Sequence, residues 1–235
     1  AVRGGVSRPM SQAEPTYDLS LLDRSHAKWQ ASPALRAVYG DIFAEMGRSL
    51  VPGTTLELGS GIGMAREFFP NLVTSDIVAT RFVQRAASAY DVPREGWGNI
   101  MALDMLHHLV EPLRFLASAT AALRPGGRIV LAEPAGTLWG RAFYGCFHHE
   151  PCRPQDIRPP FRFAADAGGG FANMGMAHAL FGRERVRVES ELRHHGLRIQ
   201  GVRYRDLFAY PATGGFSRRA LLPAPALRGL LALER

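Results

Sequence analysis

Four acidic residues stand at or near the carboxyl ends of four apolar runs in this 235-residue sequence. They are Glu57 in "LELG", Asp76 after "NLVTS", Asp104 after "NIMAL" and Glu133 after "RIVLA". If these runs are strands of a parallel sheet, their carboxyl ends meet at one edge, where ligands bind in open α/β sheets. Carboxylates there can accept hydrogen bonds from hydroxyl groups and attract cations. The acids therefore predict a binding site rather than packing positions.

Glycines at alternate positions follow the first of these acids, in "LELGSGIG". Gly59 and Gly61 allow a sharp turn and let a ligand approach the main chain closely, and the helix expected next offers free N–H groups to an anion. A dinucleotide fingerprint would need a third glycine at position 64, which is Met64. A carboxylate at Glu57 suits the ammonium of an amino-acid cofactor better than a pyrophosphate. The pattern therefore favours S-adenosyl-L-methionine.

Alternating helical and strand patterns surround these motifs and indicate an α/β fold. Ser32 and Pro33 suit the start of a helix whose apolar stripe runs from Leu35 to Met46, and we expect this helix to act as an N-terminal lid. Residues 111–127 predict an amphipathic helix that ends at two glycines. Because strands alternate with helices, we expect a parallel sheet that is covered on both faces.

The length of the chain suits one domain with one hydrophobic core. We expect a flexible leader over residues 1–30 and a single domain over residues 31–235. Within this domain, residues 135–182 lose clear periodicity and are rich in Gly, Phe and His, which predicts an irregular insert that shapes a substrate pocket. After the insert we expect strands at 197–207 and 229–234.

Composition and charge speak against several classes of partner. The net charge is +7, but the basic residues are scattered and almost all arginine, which does not favour nucleic acid. No apolar run reaches eighteen residues, so we expect no membrane partner. Cys146 and Cys152 form no CxxC pair, so neither zinc nor a disulfide framework is indicated. We therefore expect a reduced, cytoplasmic protein, and a homodimer is left open.

Three motifs taken together resemble the class I S-adenosylmethionine-dependent methyltransferases that act on small molecules. They are "LELGSGIG", "TSDI" and "ALDMLHHLVEPLRFLASATAALRPGGRIVLAEP", and the resemblance covers about residues 33–134. It implies an α/β fold with a doubly wound, mostly parallel sheet of seven strands and helices on both faces. It also implies S-adenosyl-L-methionine as cofactor, S-adenosyl-L-homocysteine as product and a small-molecule methyl acceptor, which we expect to be a secondary metabolite.

The resemblance also implies which residues bind the cofactor. Glu57 would face the methionine amino group, Asp76 the ribose, and Asp104 the end that carries the methyl group. Family members often hold the adenine amino group with an acid–alanine pair; Ser88 and Ala89 take that position here, so the acid is missing. The expected cofactor-binding residues are Glu57, Gly59, Ser60, Gly61, Asp76, Ile77, Ser88, Ala89, Asp104 and Met105.

His107 and His108 are the candidates for catalysis, since a histidine titrates near neutrality and can take a proton from the acceptor. Both could equally start a helix and form local hydrogen bonds. His148, His149 and Glu150 are a second cluster, but adjacent ligands do not easily converge on one ion, so we expect no metal. The expected substrate-binding residues are His148, His149, Glu133 and Tyr144, although the last two could be structural.

Two other functions remain open for the same fold. The missing adenine acid and the short stretch between Asp76 and Asn99 motivate a cyclase or rearrangement catalyst that keeps the cofactor without transferring its methyl group. The other is a non-catalytic homologue with a degenerate site. The mass of the product separates methyl transfer from both.

Overall fold

The computed structural model describes residues 19–147, 150–166, 170–205 and 208–234. The helices are α1 (Leu19–Ala31), α2 (Pro33–Gly47), α3 (Pro112–Ala122), α4 (Leu138–Phe147), α5 (Met176–His178), α6 (Arg185–Arg193), α7 (Ala209–Ala212) and α8 (Ala224–Leu233). The strands are β1 (Thr55–Leu58), β2 (Leu72–Asp76), β3 (Arg85–Ala86), β4 (Trp97–Leu103) and β5 (Leu123–Ala132). Within these residues, no helix has the length and apolar character needed to span a membrane.

The five strands form one sheet in the order β3-β2-β1-β4-β5, and every neighbouring pair is parallel. The chain runs outward from β1 to β2 and β3, and it then returns to the other side of β1 for β4 and β5. The switch in strand order therefore lies between β1 and β4. In such sheets ligands bind in the crevice at the carboxyl ends of the strands at this switch.

Helices cover both faces of the sheet. Ile100 of β4 is buried in a cluster with Phe115 of α3 and Val188 of α6. Its neighbour Met101 is buried in a second cluster with side chains of α1 and α2, including Trp29. Successive residues of a strand face opposite sides of the sheet, so the two clusters lie on opposite faces. The predicted doubly wound α/β arrangement is confirmed.

The sheet has five strands among the described residues, whereas the resemblance implies seven. The strand expected at 229–234 is wrong, because most of this segment lies in α8, whose Leu227 and Leu231 are buried about one turn apart against α2. The described part of the segment expected at 197–207 forms no strand either. Its Leu197 and Ile199 pack against the core without a hydrogen-bonded neighbour strand, which explains their strand-like alternation.

The leader expected over residues 1–30 overlaps a helix. Residues 19–31 form α1, and its Trp29 is 1% exposed. Trp29 Nε1 also donates a hydrogen bond to Glu67 Oε1 at 2.7 Å. The prediction is therefore wrong for residues 19–30, because one buried and hydrogen-bonded aromatic side chain holds an otherwise largely exposed helix. Residues 1–18 lie outside the described part of the chain.

Helix α2 begins where the sequence predicts. Ser32 is its N-cap, with Oγ accepting a hydrogen bond from the Leu35 N–H at 3.3 Å, and Pro33 follows in the first turn. The expected apolar stripe is buried, including Val38 and Phe43. The helix packs against α8 and the sheet as a layer of the core. This is not the packing of an exposed lid, and the lid role stays a prediction.

The connections differ from the patterns in the sequence. The helix expected directly after the glycine turn is a single 3₁₀ turn, Met64–Glu67. The insert expected at about 135–182 is more helical than its composition indicates, because its described residues include α4, α5 and a π-helical turn, Ala179–Arg183. Glycine is a poor helix former, so the glycines of this insert obscured its helical segments in the sequence.

Candidate active site

The turn after β1 has a left-handed backbone at three glycines, with φ of 68° at Gly59, 52° at Gly61 and 68° at Gly63. A Cβ at Gly59 would stand 2.7 Å from Met105 Cγ, so this glycine lets the turn after β4 pack closely against the end of β1. A Cβ at Gly61 would meet no atom within 4 Å. Gly61 therefore faces open space, where a ligand can contact the main chain.

The carboxyl group of Glu57 is buried beside this turn. The residue is 3% exposed, and its Oε2 accepts no hydrogen bond from any described residue. Burial raises the pKa of Glu57 to about 7; a hydrogen bond from Ser60 works against this rise, and the charge of Asp76 adds to it. A buried carboxylate oxygen without a partner is costly, so this position favours a ligand that brings a cationic hydrogen-bond donor.

Asp76 ties the glycine turn to the end of β2. Its Oδ2 accepts a hydrogen bond from the Gly61 N–H at 2.8 Å, and its Oδ1 accepts one from the Ile77 N–H at 2.7 Å. Each carboxylate oxygen can accept a further bond, so the residue still has acceptor capacity for hydroxyl groups of a ligand. Ile77 is 51% exposed. A side chain that packs on the ring of a ligand is expected to be exposed in this way in the free protein.

Ser88 and Ala89, expected near the adenine, lie just beyond β3. The Ala87 N–H donates to the backbone oxygen of Asp76 at 2.8 Å, which brings this loop to the end of β2. Ala89 packs against the core, and Ser88 forms an isolated β-bridge with Asp91. Asp91 is exposed.

Asp104 follows β4 with an unusual backbone. Its φ is 53°, which few residues other than glycine adopt. The residue keeps an exposed surface, yet the surrounding protein desolvates its carboxyl group, as on the wall of a cleft. This desolvation and the charge of Glu133 raise the pKa of Asp104 to about 7, with a smaller opposing effect of His107. Strained backbone is found often at functional sites, which agrees with the predicted place of Asp104 beside a ligand.

Glu133 holds the turn that follows Asp104. Its Oε1 accepts hydrogen bonds from the N–H groups of Met105 at 2.8 Å and Leu106 at 2.6 Å. Its Oε2 lies 3.4 Å from the N and 2.8 Å from Nδ1 of His107. The side chain is 3% exposed. Four donors occupy this carboxylate, so the geometry favours a positioning role for Glu133 over the predicted contact with substrate.

His107 and His108 lie on the 3₁₀ turn Leu106–His108, with ring centroids 4.1 Å apart. His107 is 2% exposed, whereas 46% of the His108 side chain is exposed. A carboxylate oxygen of Glu150 lies 3.8 Å from His107 Nε2, and the other lies 3.9 Å from His108 Nε2. The fold thus brings Glu150, which the sequence groups with His148 and His149, to the first histidine pair.

The two imidazoles differ in their tendency to be charged. Burial disfavours the charge of His107, but the hydrogen bond and the charge of Glu133, together with the charges of Asp104 and Glu150, raise its pKa. Burial and the charge of His107 lower the pKa of His108. His108 therefore tends to be neutral, and its exposed ring is the better placed of the two to accept a proton.

Asn173 joins the segments around the histidines, and no pattern in the sequence indicates this role. Its N–H donates to the His107 carbonyl oxygen at 2.9 Å. Its Oδ1 accepts from the N–H groups of Arg153 and Gly175, and its Nδ2 donates to the Arg153 carbonyl oxygen, all at 3.0 Å. Asn173 is 5% exposed. These bonds fix the segment that begins at Glu150 beside the histidine turn.

Three tyrosines from distant parts of the chain lie close enough to Asp104 for its charge to act on them. Tyr144 is one of the residues predicted to bind substrate, whereas Tyr39 and Tyr210 are not among the predicted site residues. The rings of Tyr39 and Tyr210 lie 6.1 Å apart, edge to face. Burial raises the pKa of each hydroxyl group, and the charge of Asp104 contributes in all three cases. All three therefore stay protonated and can donate hydrogen bonds near Asp104.

Two of the predicted substrate-binding residues cannot be placed in the site. His148 and His149, expected to bind substrate, lie outside the described residues.

A cavity of about 280 Å³ lies between α1 and the glycine turn, lined by Trp29, Gly63 and Phe82 among others. None of the four acids at the strand ends lines it. We therefore do not assign this cavity to the cofactor.

Comparison with known families decides which proteins this chain is related to. A family model described as a methyltransferase domain matches residues 32–175, which is more than half of the chain. This chain belongs to the methyltransferase-domain family. The predicted resemblance is thereby confirmed. Among curated proteins, none matches the sequence of this chain.

One solved structure agrees with the fold of this chain, and a second matches it only weakly. One is a SAM-dependent methyltransferase from Thermotoga maritima, described as a possible histamine N-methyltransferase, with a TM-score of 0.51 and 15% identity over 77% of this chain and 81% of that chain. Another is the sugar N-methyltransferase KedS8 from a Streptoalloteichus species, with a TM-score of 0.36 and 16% identity over 59% of this chain and 62% of that chain. At these identities the first likeness shows the fold alone, and the second carries no argument.

Proposed function

We propose that this protein transfers the methyl group of S-adenosyl-L-methionine to a small-molecule acceptor. The observation that carries the proposal is the buried Oε2 of Glu57, which accepts no hydrogen bond from the described residues and lies beside a turn whose Gly61 faces open space. The ammonium group of an amino-acid cofactor can donate a hydrogen bond to Glu57 Oε2, and the rest of its chain can lie along the turn at Gly61. Membership of the methyltransferase-domain family supports the same assignment.

In this proposal, each residue of the site binds a different part of the cofactor. Glu57 accepts hydrogen bonds from the amino group, and Asp76 accepts them from the ribose hydroxyls with its remaining lone pairs. Ile77 offers an exposed apolar side chain to the adenine. Asp104 and Met105 border the end of the cofactor from which the methyl group leaves.

Methyl transfer needs positioning more than it needs bond-making groups on the protein. When bound, the cofactor supplies a methyl group on a positively charged sulfur, so that a lone pair of the acceptor forms the new bond while the methyl–sulfur bond breaks and leaves S-adenosyl-L-homocysteine. Holding the two reactants in line can lower the barrier by about 7–11 kcal/mol. The rigid turn that Glu133 holds and the strained backbone of Asp104 provide such a fixed surface.

The acceptor lies, in this proposal, in the cleft that Asp104 shares with the tyrosines and histidines. Tyr39, Tyr144 and Tyr210 supply apolar faces with hydroxyl donors, and His108 supplies an exposed imidazole. Such a mixture of aromatic walls and a few polar groups is typical of sites for small organic molecules. We propose a secondary metabolite of this kind as the acceptor.

The test of the cofactor site is calorimetric titration with S-adenosyl-L-homocysteine and S-adenosyl-L-methionine. We expect binding to the wild type and a loss of at least about tenfold in Asp76→Asn, because an amide replaces a charged acceptor of hydrogen bonds. Asp156→Asn, at an exposed position of the turn Pro154–Asp156, is the matched control and should bind like the wild type. Absence of binding to the wild type would contradict the proposal.

Product mass tests the reaction itself. A mixture of candidate acceptors incubated with protein and S-adenosyl-L-methionine should yield a product heavier by one methylene unit, together with S-adenosyl-L-homocysteine. An isomer of unchanged mass would instead support the cyclase or rearrangement reading. The Asp76→Asn variant serves as the negative control in the same assay.

A further inference from the structure

The two adjacent histidines have one ring nitrogen each held by an acceptor. His107 Nδ1 lies 2.8 Å from Glu133 Oε2, and His108 Nδ1 lies 3.2 Å from the carbonyl oxygen of Phe171. A carbonyl oxygen only accepts hydrogen bonds, and the Glu133 carboxylate already accepts bonds from backbone N–H groups. Both Nδ1 atoms must therefore donate. In the neutral rings this leaves the lone pair on Nε2 of both histidines.

Both Nε2 atoms turn toward the carboxylate of Glu150. The distances, 3.8 Å from His107 and 3.9 Å from His108, are too long for hydrogen bonds. One ligand atom from each of the three side chains lies within 4.8 Å of the other two. Ligand atoms at about 2.0–2.2 Å from one metal ion stand roughly 3–4 Å from each other. The spacing in the protein is close to this range.

We propose that His107, His108 and Glu150 bind a divalent transition-metal ion such as Zn²⁺. Two imidazoles and one carboxylate suit zinc or iron, whereas magnesium and calcium prefer oxygen ligands alone. Metal-binding histidines usually donate their other N–H group to a carboxylate or a carbonyl oxygen, and here Glu133 and Phe171 supply one of each. The sequence argued against a metal at His148, His149 and Glu150, because adjacent ligands do not easily converge on one ion. The fold instead brings Glu150 to the 3₁₀ turn that carries His107 and His108.

Three protein ligands leave open positions on such an ion, as in catalytic zinc sites. Asp104, at the proposed methyl-donor end, lies close enough to His107 and Glu150 for their charges to act on it. In this proposal the ion binds a hydroxyl oxygen of the acceptor and lowers the pKa of that hydroxyl group, which then gives its proton to water. The two histidines are then ligands rather than bases. This role in catalysis rests on the proposed function, whereas the metal site itself does not.

The test is metal binding by the full chain without an affinity tag. Protein treated with a chelator and dialysed is titrated with Zn²⁺ against a chromophoric competitor, and Co²⁺ is added separately so that its visible absorption reports the ligand set. We expect one ion per chain. His108→Ala and Glu150→Gln should each weaken Zn²⁺ binding by at least about tenfold. His108 is the informative position because its exposed side chain can be removed without opening the core.

The chain offers a matched control in His194 and His195, a second pair of adjacent histidines that is exposed after α6. His194→Ala should bind Zn²⁺ like the wild type. Absence of one-to-one binding, or binding that His108→Ala and Glu150→Gln leave unchanged, overturns the metal site. Titration of the wild type with S-adenosyl-L-homocysteine separates the two proposals: a wild type that binds S-adenosyl-L-homocysteine but not Zn²⁺ contradicts the metal site alone, and one that binds Zn²⁺ but not S-adenosyl-L-homocysteine contradicts the proposed function alone.

Discussion

The two halves of the candidate site are built in different ways. The cofactor half consists of Glu57, Gly59, Gly61 and Asp76, which lie within twenty residues on β1, its turn and β2. The acceptor half consists of His107, His108, Glu133, Glu150 and Asn173, which come from four separate segments and are joined by long-range hydrogen bonds. A local half can be recognised from spacing, whereas a non-local half depends on how the whole chain packs.

The strongest test of the difference between the two halves is a variant of Asn173, which belongs to the acceptor half. Asn173→Ala removes three side-chain hydrogen bonds from a buried position, so we expect the free energy of unfolding to fall by about 3 kcal/mol. Urea unfolding measures the change. Asn71→Ala, at an exposed position, is the control and should change little. Binding of S-adenosyl-L-homocysteine to folded Asn173→Ala should stay near that of the wild type; a loss as large as that of Asp76→Asn would mean that the halves are not independent.

Glu57→Gln tests the cofactor half with the next largest effect. A neutral amide replaces the charged partner of the ammonium group, so we expect affinity for S-adenosyl-L-homocysteine to fall by about 10–100-fold. The protein should not lose stability at pH 8, because the variant removes a buried carboxylate whose Oε2 accepts no hydrogen bond from the described residues. Glu191→Gln, exposed on α6, is the matched control in both measurements. Unchanged affinity in Glu57→Gln would remove the main support for the proposed function.

The pH dependence of cofactor binding gives a somewhat smaller effect. The pKa of Glu57 is about 7 in the free protein, and the ammonium group binds the ionised carboxylate. Affinity for S-adenosyl-L-homocysteine should therefore fall by about tenfold between pH 8 and pH 6, as the ionised fraction falls. Calorimetry in both buffers measures this change. In Glu57→Gln the same profile should be flat, and a slope that persists there would assign the dependence to another group.

The same shift has a consequence for stability with the opposite dependence on pH. The carboxyl group of Glu57 binds its proton more tightly in the folded chain, at about 7, than at its ordinary value of 4.5. Its contribution to the free energy of unfolding is therefore complete below pH 4.5 and is lost as the pH rises through 7. Comparison of Glu57→Gln with the wild type across this range isolates the contribution.

The smallest effect separates backbone strain from ligand contact. Gly61 and Gly96 both have left-handed backbones, and a Cβ at either would meet no atom within 4 Å. Gly61→Ala and Gly96→Ala should each lower the free energy of unfolding by about 1–2 kcal/mol. Only Gly61→Ala should also weaken binding of S-adenosyl-L-homocysteine. Equal binding by both variants would place the cofactor away from this turn.

Much of the cofactor half could be predicted from the sequence, and less of the acceptor half. The cap at Ser32, the buried strands and the glycine turn follow from local pattern, and the structure has them where the patterns indicate. The predicted cofactor residues that lie on β1, its turn and β2 come together at the expected edge of the sheet. Residues 19–31 could not be predicted from local pattern. They form a helix in place of the expected leader because the indole of Trp29 is buried and hydrogen-bonded.

The errors share one physical cause. Residues 229–234 form a short apolar run that was expected as a strand, yet Leu227 and Leu231 bury one helical face against α2. A short apolar run is compatible with either structure, and the neighbouring surface decides between them. Glu133 was expected to contact substrate, but its oxygens accept bonds from the turn at 105–107, which the sequence could not place beside it.

The sequence by itself determined the parallel α/β class, the glycine turn and the acids that stand at the ends of β1, β2 and β4. These features depend on residues within a few positions of each other, where backbone geometry and periodicity act directly. Only the tertiary structure decided that Glu150 and Asn173 reach the histidine turn and that Tyr39, Tyr144 and Tyr210 come within the electrostatic influence of Asp104. Such contacts join residues far apart in the chain, and their free energy arises only when the core has packed and excluded water from between them.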